Sequence, residues 1–183
     1  MPKIVATKNN WIELGYKLFS EKGIAGIVVE SMAKKLEVNK SSFYWHFSTK
    51  KAFVDAIIDY WEAESTSKIV SAVVNENTSH NRFEKLIELS FLKDNEIDFF
   101  FYLKKYARSN KELTSRIEDL DRQRIEFTAS ILQELGYPPA EAKVKASLFY
   151  KYLIGYHEMI RYKEQRRNYT AEVAEELSHF VQF

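Results

Sequence analysis

Cysteine is absent from the 183 residues, which removes any disulfide framework and any thiolate metal site. A chain of this kind suits a reducing compartment, and a cytoplasmic location is expected. Proline and glycine are nearly as scarce. The prolines are Pro2, Pro138 and Pro139; the glycines are Gly15, Gly23, Gly26, Gly136 and Gly155. Between Ile27 and Leu135 there is neither. An all-β chain needs turn residues far more often, so this stretch points to helices. Long apolar runs are missing too. The longest, Ile97 to Leu103, is interrupted by Asp98, whereas a membrane span needs roughly 18 apolar residues. No membrane partner is expected, and Met1 to Asn10 lacks the apolar core of a signal peptide. Catalytic motifs are absent as well: there is no glycine-rich phosphate loop and no Gly-x-Ser-x-Gly. His46, His80, His157 and His179 are not paired at metal-ligand spacing. The single Glu176-x-x-His179 lacks the second copy and the further glutamates of a di-iron bundle. The expectation is therefore no metal, no cofactor and no enzyme; a helical enzyme built on aromatic residues would have no convergent acid–base set.

What is present is a soluble, globular balance of 45% hydrophobic and 29% charged residues, with enough length for a real core. The net charge of +1 is unevenly spread. Residues 1–51 hold nine lysines against four glutamates, a net of +5, and leave −4 for the rest. A basic head on an acidic body suggests an anionic partner for the head.

Apolar spacing supplies the helices. Trp11, Leu14, Gly15, Leu18 and Phe19 fall on one stripe, which Gly23 ends. Val29, Met32, Ala33 and Leu36 repeat the pattern in a short second helix, and Phe43 and Phe47 share a face in a third. Val54, Ile57, Ile58 and Trp61 open a fourth, longer helix reaching about Val74. A polar loop, 75–81, follows. Further helices are expected near 82–93, 96–108, 111–135, 139–166 and 171–182, with Gly136, Pro138 and Pro139 marking a stop and restart. The chain thus reads as all-α, about nine helices. It divides into a small basic unit, 1–50, and a larger helical body, 51–183.

Glu37-Val38-Asn39 joins the second and third helices with helix-turn-helix spacing. Asn39 is the expected N-cap of the third, and Val38 is expected to pack inward. The third helix then opens with Lys40, Ser41 and Ser42, a small polar turn able to approach bases and phosphates. Tyr44 and His46 can donate to phosphate oxygens, and Lys50 and Lys51 add charge beside them. Lys40, Ser41 and Trp45 are the candidates to face the groove. Phe43 and Phe47 are expected in the core.

Residues 11–53 resemble the DNA-binding domain of the tetracycline-repressor-like (TetR) family. The resemblance is carried by Leu18-Phe19, Gly23, Met32-Ala33, Glu37-Val38-Asn39, Phe43-Tyr44-Trp45-His46-Phe47 and Lys50-Lys51-Ala52-Phe53. It implies that Tyr44, His46 and Lys50 contact phosphates, and that a helical ligand-binding body dimerises through its last two long helices. Past residue 60 it is weaker, resting on Tyr106 to Leu113 and Asp121 to Arg124. Three positions depart from the pattern. Ile27-Val28 stands where the family usually has Ser or Thr, which removes a cap worth roughly 1 kcal/mol. Glu37 replaces the turn glycine. Glu30 would repel a nearby phosphate if it faced one.

Two stripes mark the helix after Pro139. Ala142, Ala146, Phe149, Leu153, Tyr156 and Ile160 form a packing seam; Leu148, Tyr152, Gly155 and Met159 form the second. Phe149, Leu153, Tyr156 and Ile160 are the expected dimer contacts, matched by Leu177 and Phe180 on the final helix. Burial of both stripes within one subunit is the alternative. Aromatics are dense, with 13 Phe, 11 Tyr and 3 Trp. Trp61, Phe91, Tyr102, Tyr106, Phe127, Tyr150 and His157 are the candidates to line a pocket for a small apolar or aromatic ligand. The expected function is a homodimeric, sequence-specific regulator bound to a double-stranded DNA operator, a repressor released by an unidentified small-molecule effector. The alternative is a helical protein-interaction or ligand-binding module that has lost DNA binding.

Overall fold

A computed structural model describes residues 6–91, 96–160, 170–179 and 181. Among these there are nine helices and no strand, as the sequence pattern predicts. They are α1 (Lys8–Lys22), α2 (Val29–Lys35), α3 (Ser41–His46), α4, α5 (Ser79–Phe91), α6 (Glu96–Ala107), α7 (Lys111–Glu134), α8 (Pro139–Ile160) and α9 (Thr170–Ser178). The long α4 runs from Lys50–Glu62 through a π-helical turn, Ala63–Ser67, into Lys68–Val74. It starts at Lys50, where the two lysines are expected to open it, one turn before its first apolar stripe residue. Residues 161–169, part of the expected 139–166 helix, lie outside the described residues.

Local chemistry sets the helix ends. Thr7 and Asn10 cap α1 reciprocally, a capping box with asparagine in the third position. Gly23, at φ +62°, closes α1 by donating its N–H to the Phe19 carbonyl. Thr49 accepts from the Ala52 N–H at 3.0 Å to start α4, and Asn110 accepts from the Leu113 N–H at 3.1 Å to start α7. Gly136, at φ +100°, ends α7 before Pro139 opens α8. Of two further helix starts, one follows the expectation and one departs from it. No side chain caps α2 at Val28, as its apolar residues imply. Asn39 does not cap α3 through its side chain; its backbone carbonyl accepts from the Ser42 N–H at 2.9 Å instead.

The head packs around aromatic rings. Trp11 and Phe53 both meet Phe43 edge-on, at 5.3 and 5.1 Å, and Phe47 lies 4.7 Å from Phe53. Burying such rings is what allows helices of six and seven residues to hold in water, where alone they would not. The packing offers no break at residue 50. Phe19 lies 4.8 Å from Phe99 on α6, and Trp61 stacks on Phe99 at 5.2 Å. The same apolar cluster runs from Ala6 to Leu120. A second cluster, including Phe83, Leu86, Leu132, Ala146, Phe149 and Leu177, fills the far end of the body. Arg116 clamps α7 to α4: its Nε donates to Glu62 at 2.7 Å and its Nη2 to Asp59 at 2.6 Å. Among the described residues, no helix is long and apolar enough to cross a membrane.

Gly15 sets the α1–α4 spacing. A Cβ there would lie 2.5 Å from Phe53 Cζ and 2.6 Å from Ile57 Cδ1, and both side chains are fully buried. Gly15→Ala should therefore cost about 1–3 kcal/mol through overpacking, despite the better helix propensity of alanine. Chemical denaturation of both proteins checks this, and an unchanged midpoint would show that the interface has slack.

Candidate nucleic-acid interface and ligand cavity

On α3, alternate faces have opposite fates. Phe43 and Phe47 are buried, whereas Tyr44 is 59% exposed and Trp45 85% exposed. Leaving an indole in water opposes the hydrophobic effect that buries Trp11 and Trp61 in the same chain. Lys40 and Ser41, at the start of this helix, are exposed as well. Ser42 is half-buried, and its hydroxyl accepts from the Trp11 indole N–H at 3.4 Å. That bond ties α3 to α1.

His46 is half-buried, with Nε2 2.9 Å from the Ala6 carbonyl. A carbonyl can only accept, so Nε2 carries the hydrogen and donates it. This bond fixes the ring between α3 and the segment entering α1. Lys50 is exposed at the first position of α4 and makes no ion pair among the described residues. Lys51 differs: its ammonium donates to Asp55 at 2.9 Å, and that bond holds it above the usual lysine value. Lys51 thus turns along α4. Glu30, expected to repel phosphate, lies 3.8 Å from Lys40. Glu37 adopts φ +57°, the left-handed region that a glycine occupies without strain. The turn keeps its shape at the expense of backbone strain.

The body holds a cavity of about 740 Å³ between its two apolar clusters. Trp61, Phe127, Tyr150 and His157 line it, as expected, together with Phe100, Leu86 and Leu153. Tyr150 donates to Asp121 at 2.5 Å, and burial pushes its phenol well above the usual tyrosine value. It therefore stays a protonated donor at neutral pH. His157 Nε2 lies 2.8 Å from the Ser90 carbonyl, to which it donates.

Three expected lining residues lie elsewhere. Phe91 sits one layer behind the wall, stacked on His157 at 5.9 Å. The Tyr102 hydroxyl donates to the Glu21 carbonyl at 3.3 Å while its ring covers Gly23. Tyr106 meets Phe19 edge-on at 6.3 Å. The cause is helix geometry. Positions 99, 102, 103 and 106 share one face of α6 and meet the head, whereas Phe100 and Lys104 turn to the cavity.

The expected dimer residues also divide. Phe149 and Leu177 are buried within the subunit, Phe149 against Phe83 and Phe91. Tyr156 packs on Phe91 at 5.2 Å, and Leu153 lines the cavity. The side chain of Ile160, and Phe180 altogether, lie outside the described residues. The seam 142–146–149 thus faces inward. The exposed apolar side chains of α8 are Val144, Leu148 and Met159, the last 76% exposed. Leu148 and Met159 belong to the second stripe, in which Gly155 has open space around its backbone.

Among the described residues no group of His, Asp and Glu could hold a metal. A short helix with an exposed face, held by two others at the head of an all-helical body, is the arrangement of a helix-turn-helix. Residues 12–57 match the family profile of bacterial regulatory proteins, tetR family. The biofilm operon icaADBC HTH-type negative transcriptional regulator IcaR of Staphylococcus aureus is 26% identical over 147 residues, covering 75% of this chain and 72% of that protein. Solved structures share the whole architecture at low identity. A transcriptional regulator from Rhodococcus sp. Rha1 superposes with a TM-score of 0.79 at 15% identity, over 97% of both chains. The ketosteroid transcriptional regulator KstR2 of Mycobacterium tuberculosis gives 0.72 at 18% identity, over 99% of this chain and 98% of the other. The likeness to the tetR family is carried by residues 12–57, and the body shares the fold of the solved regulators.

Two parts of the site escaped the sequence reading. Thr49 sets the start of α4 and hence where Lys50 projects; a hydroxyl residue three before a helical N–H is its signal. Arg124 borders the cavity eight residues after Arg116, a spacing that returns to nearly the same face of α7. Glu37→Gly should relieve the strained turn, stabilising the protein by about 1 kcal/mol. Calorimetric melting should show a rise of roughly 2–4 °C for a chain of this size. A fall would mean that Glu37 makes a stabilising contact outweighing its strain.

Proposed function

We propose that the chain acts as a homodimeric DNA-binding repressor that a small apolar ligand in the body cavity releases from its operator. One observation carries the DNA-binding part: Tyr44 and Trp45 stand out in water on a helix whose opposite face is locked into the core. Lys40 and Ser41 lie beside them, and Lys50 opens the next helix. In this reading Lys40, Ser41 and Trp45 meet base edges, while Tyr44, His46 and Lys50 hold phosphates. The reading in which DNA binding has been lost rests on Glu30, Glu37 and the missing cap of α2. With Lys40 at 3.8 Å, the Glu30 carboxylate has a compensating partner.

For the dimer, Val144, Leu148, Gly155 and Met159 on α8 replace the buried seam as the contact. An exposed apolar stripe on a long helix favours a second copy, and two heads about 34 Å apart would address successive major grooves. The ligand acts through α4, which begins at Lys50 and passes Trp61 on the cavity wall. It can shift the spacing of the heads by no more than its differential affinity for the two body conformations.

Binding to duplexes selected from genomic fragments tests the interface. Lys50→Ala should weaken binding to every sequence and lower the slope of log K against log salt by about 1. Tyr44→Phe should weaken binding while leaving that slope unchanged. An unaltered slope in Lys50→Ala would mean that α4 does not reach the phosphates. Leu148→Glu should convert the dimer to monomer in sedimentation and lower DNA affinity with it. A variant that stays dimeric would move the contact off α8.

A further inference from the structure

We infer that the cavity is built for a small apolar acid, whose carboxylate draws Arg124 away from the π turn of α4. The inference rests on the ligand-release reading above and specifies its ligand. The cavity wall is largely apolar, with Trp61, Leu86, Phe100, Phe127 and Leu153 on it. The charges at its edge are mostly spoken for. Lys68 pairs with Glu64. Lys104 lies 3.8 Å from Asp121 and 4.3 Å from the Phe100 ring centre. Asp121 also accepts the Tyr150 hydroxyl.

Arg124 is different. No carboxylate among the described residues comes within ion-pair distance of it. Its guanidinium donates to Thr66 Oγ1 at 2.7 Å and to Ser65 Oγ at 3.2 Å, and lies 5.3 Å from the Trp61 ring centre. The hydroxyls of Ser65, Thr66 and Tyr150 surround it, and among the described residues the nearest carboxylate influence, Asp121, reaches it only through Tyr150. Arg116, two turns earlier on the same helix and against the same α4, holds two carboxylates. Among the described residues, carboxylates thus pair directly with one arginine and not with the one that borders the cavity. A guanidinium fork matches a carboxylate bidentately, and such charge-assisted pairs are roughly twice as strong as neutral hydrogen bonds. Glu64 and Glu158 on the same wall disfavour a polyanion, so a single carboxylate on an apolar body fits best.

The same contact supplies a path to the head. Ser65 and Thr66 are two of the five residues of the π turn, Ala63–Ser67. π turns are rare and gather at functional sites. A carboxylate that captures Arg124 replaces the two hydroxyl contacts, so the turn loses its hold on α7. The ligand then makes different contacts in the two states of α4, which is what a population shift requires.

Calorimetric titration of the full chain with octanoate, decanoate and dodecanoate, each against its primary alcohol, tests this. The acids should bind tenfold or more tighter than the alcohols, the range of a charge-assisted bond of about 1.5–3 kcal/mol. Arg124→Gln keeps donors for Ser65 and Thr66 without the charge, and should bring acid and alcohol within about twofold of each other. Thr66→Val leaves every charge in place and frees Arg124, so it should tighten acid binding; it serves as well if Arg124→Gln fails to fold. Equal binding of acid and alcohol, binding of no acid, or acid preference surviving in Arg124→Gln would each overturn the inference. Operator affinity is measured in the same samples. Acid-selective binding without loss of operator affinity upholds the ligand class and overturns the release reading instead.

Discussion

Trp61 and Phe99 stack at 5.2 Å, and through that contact the core of the head becomes the core of the body. Phe19 reaches the other side of Phe99 at 4.8 Å, so one ring from α6 holds α1 and α4 at once. Aromatic pairs of this kind add about 0.5–1.5 kcal/mol each beyond the area they bury. A head joined to its body only by a linker would take any orientation. Here the same buried rings that stabilise α1 fix its angle to α6 and α4, and with it the direction in which α3 points. The exposed face of α3 has a defined bearing because the opposite face has none to spare.

Helix α4 therefore belongs to two structures. Its first half closes the head, with Phe53 and Ile57 against Gly15. Its second half walls the cavity, and the π turn divides the two. Across it, α7 grips with Arg116 on one side of that turn and Arg124 within it. The carboxylate-bound arginine is the firmer anchor; the hydroxyl-bound one is the weaker. A helix held tightly at one point and lightly at the next transmits motion from the lightly held end.

Much of the head was legible in the sequence because its signals are local. The stripe from Trp11 to Phe19, the glycine after it and the Phe43–Phe47 pair each depend on residues a turn apart. The body was less legible, and its errors share a cause. Periodicity says that a stripe is buried but not against which neighbour. Tyr102 and Tyr106 are on the head side of α6, not the cavity side, because α6 has apolar residues all round. Phe149 lies inside the subunit for a like reason: α8 carries two apolar stripes, and spacing alone does not rank them. Arg124 was missed because an arginine on a polar helix looks solvated. Its meaning comes from Ser65 and Thr66, nearly sixty residues away.

The three indoles of the chain occupy three unlike surroundings. Trp11 is sealed in the head, Trp61 lies between Phe99 and the Arg124 guanidinium, and Trp45 is bathed in solvent. Indole emission shifts to the red with polarity and is quenched by nearby bases and cations. The chain therefore carries its own optical probes. Trp45 signals what touches α3, Trp61 signals what enters the cavity, and Trp11 reports whether the head between them is still folded.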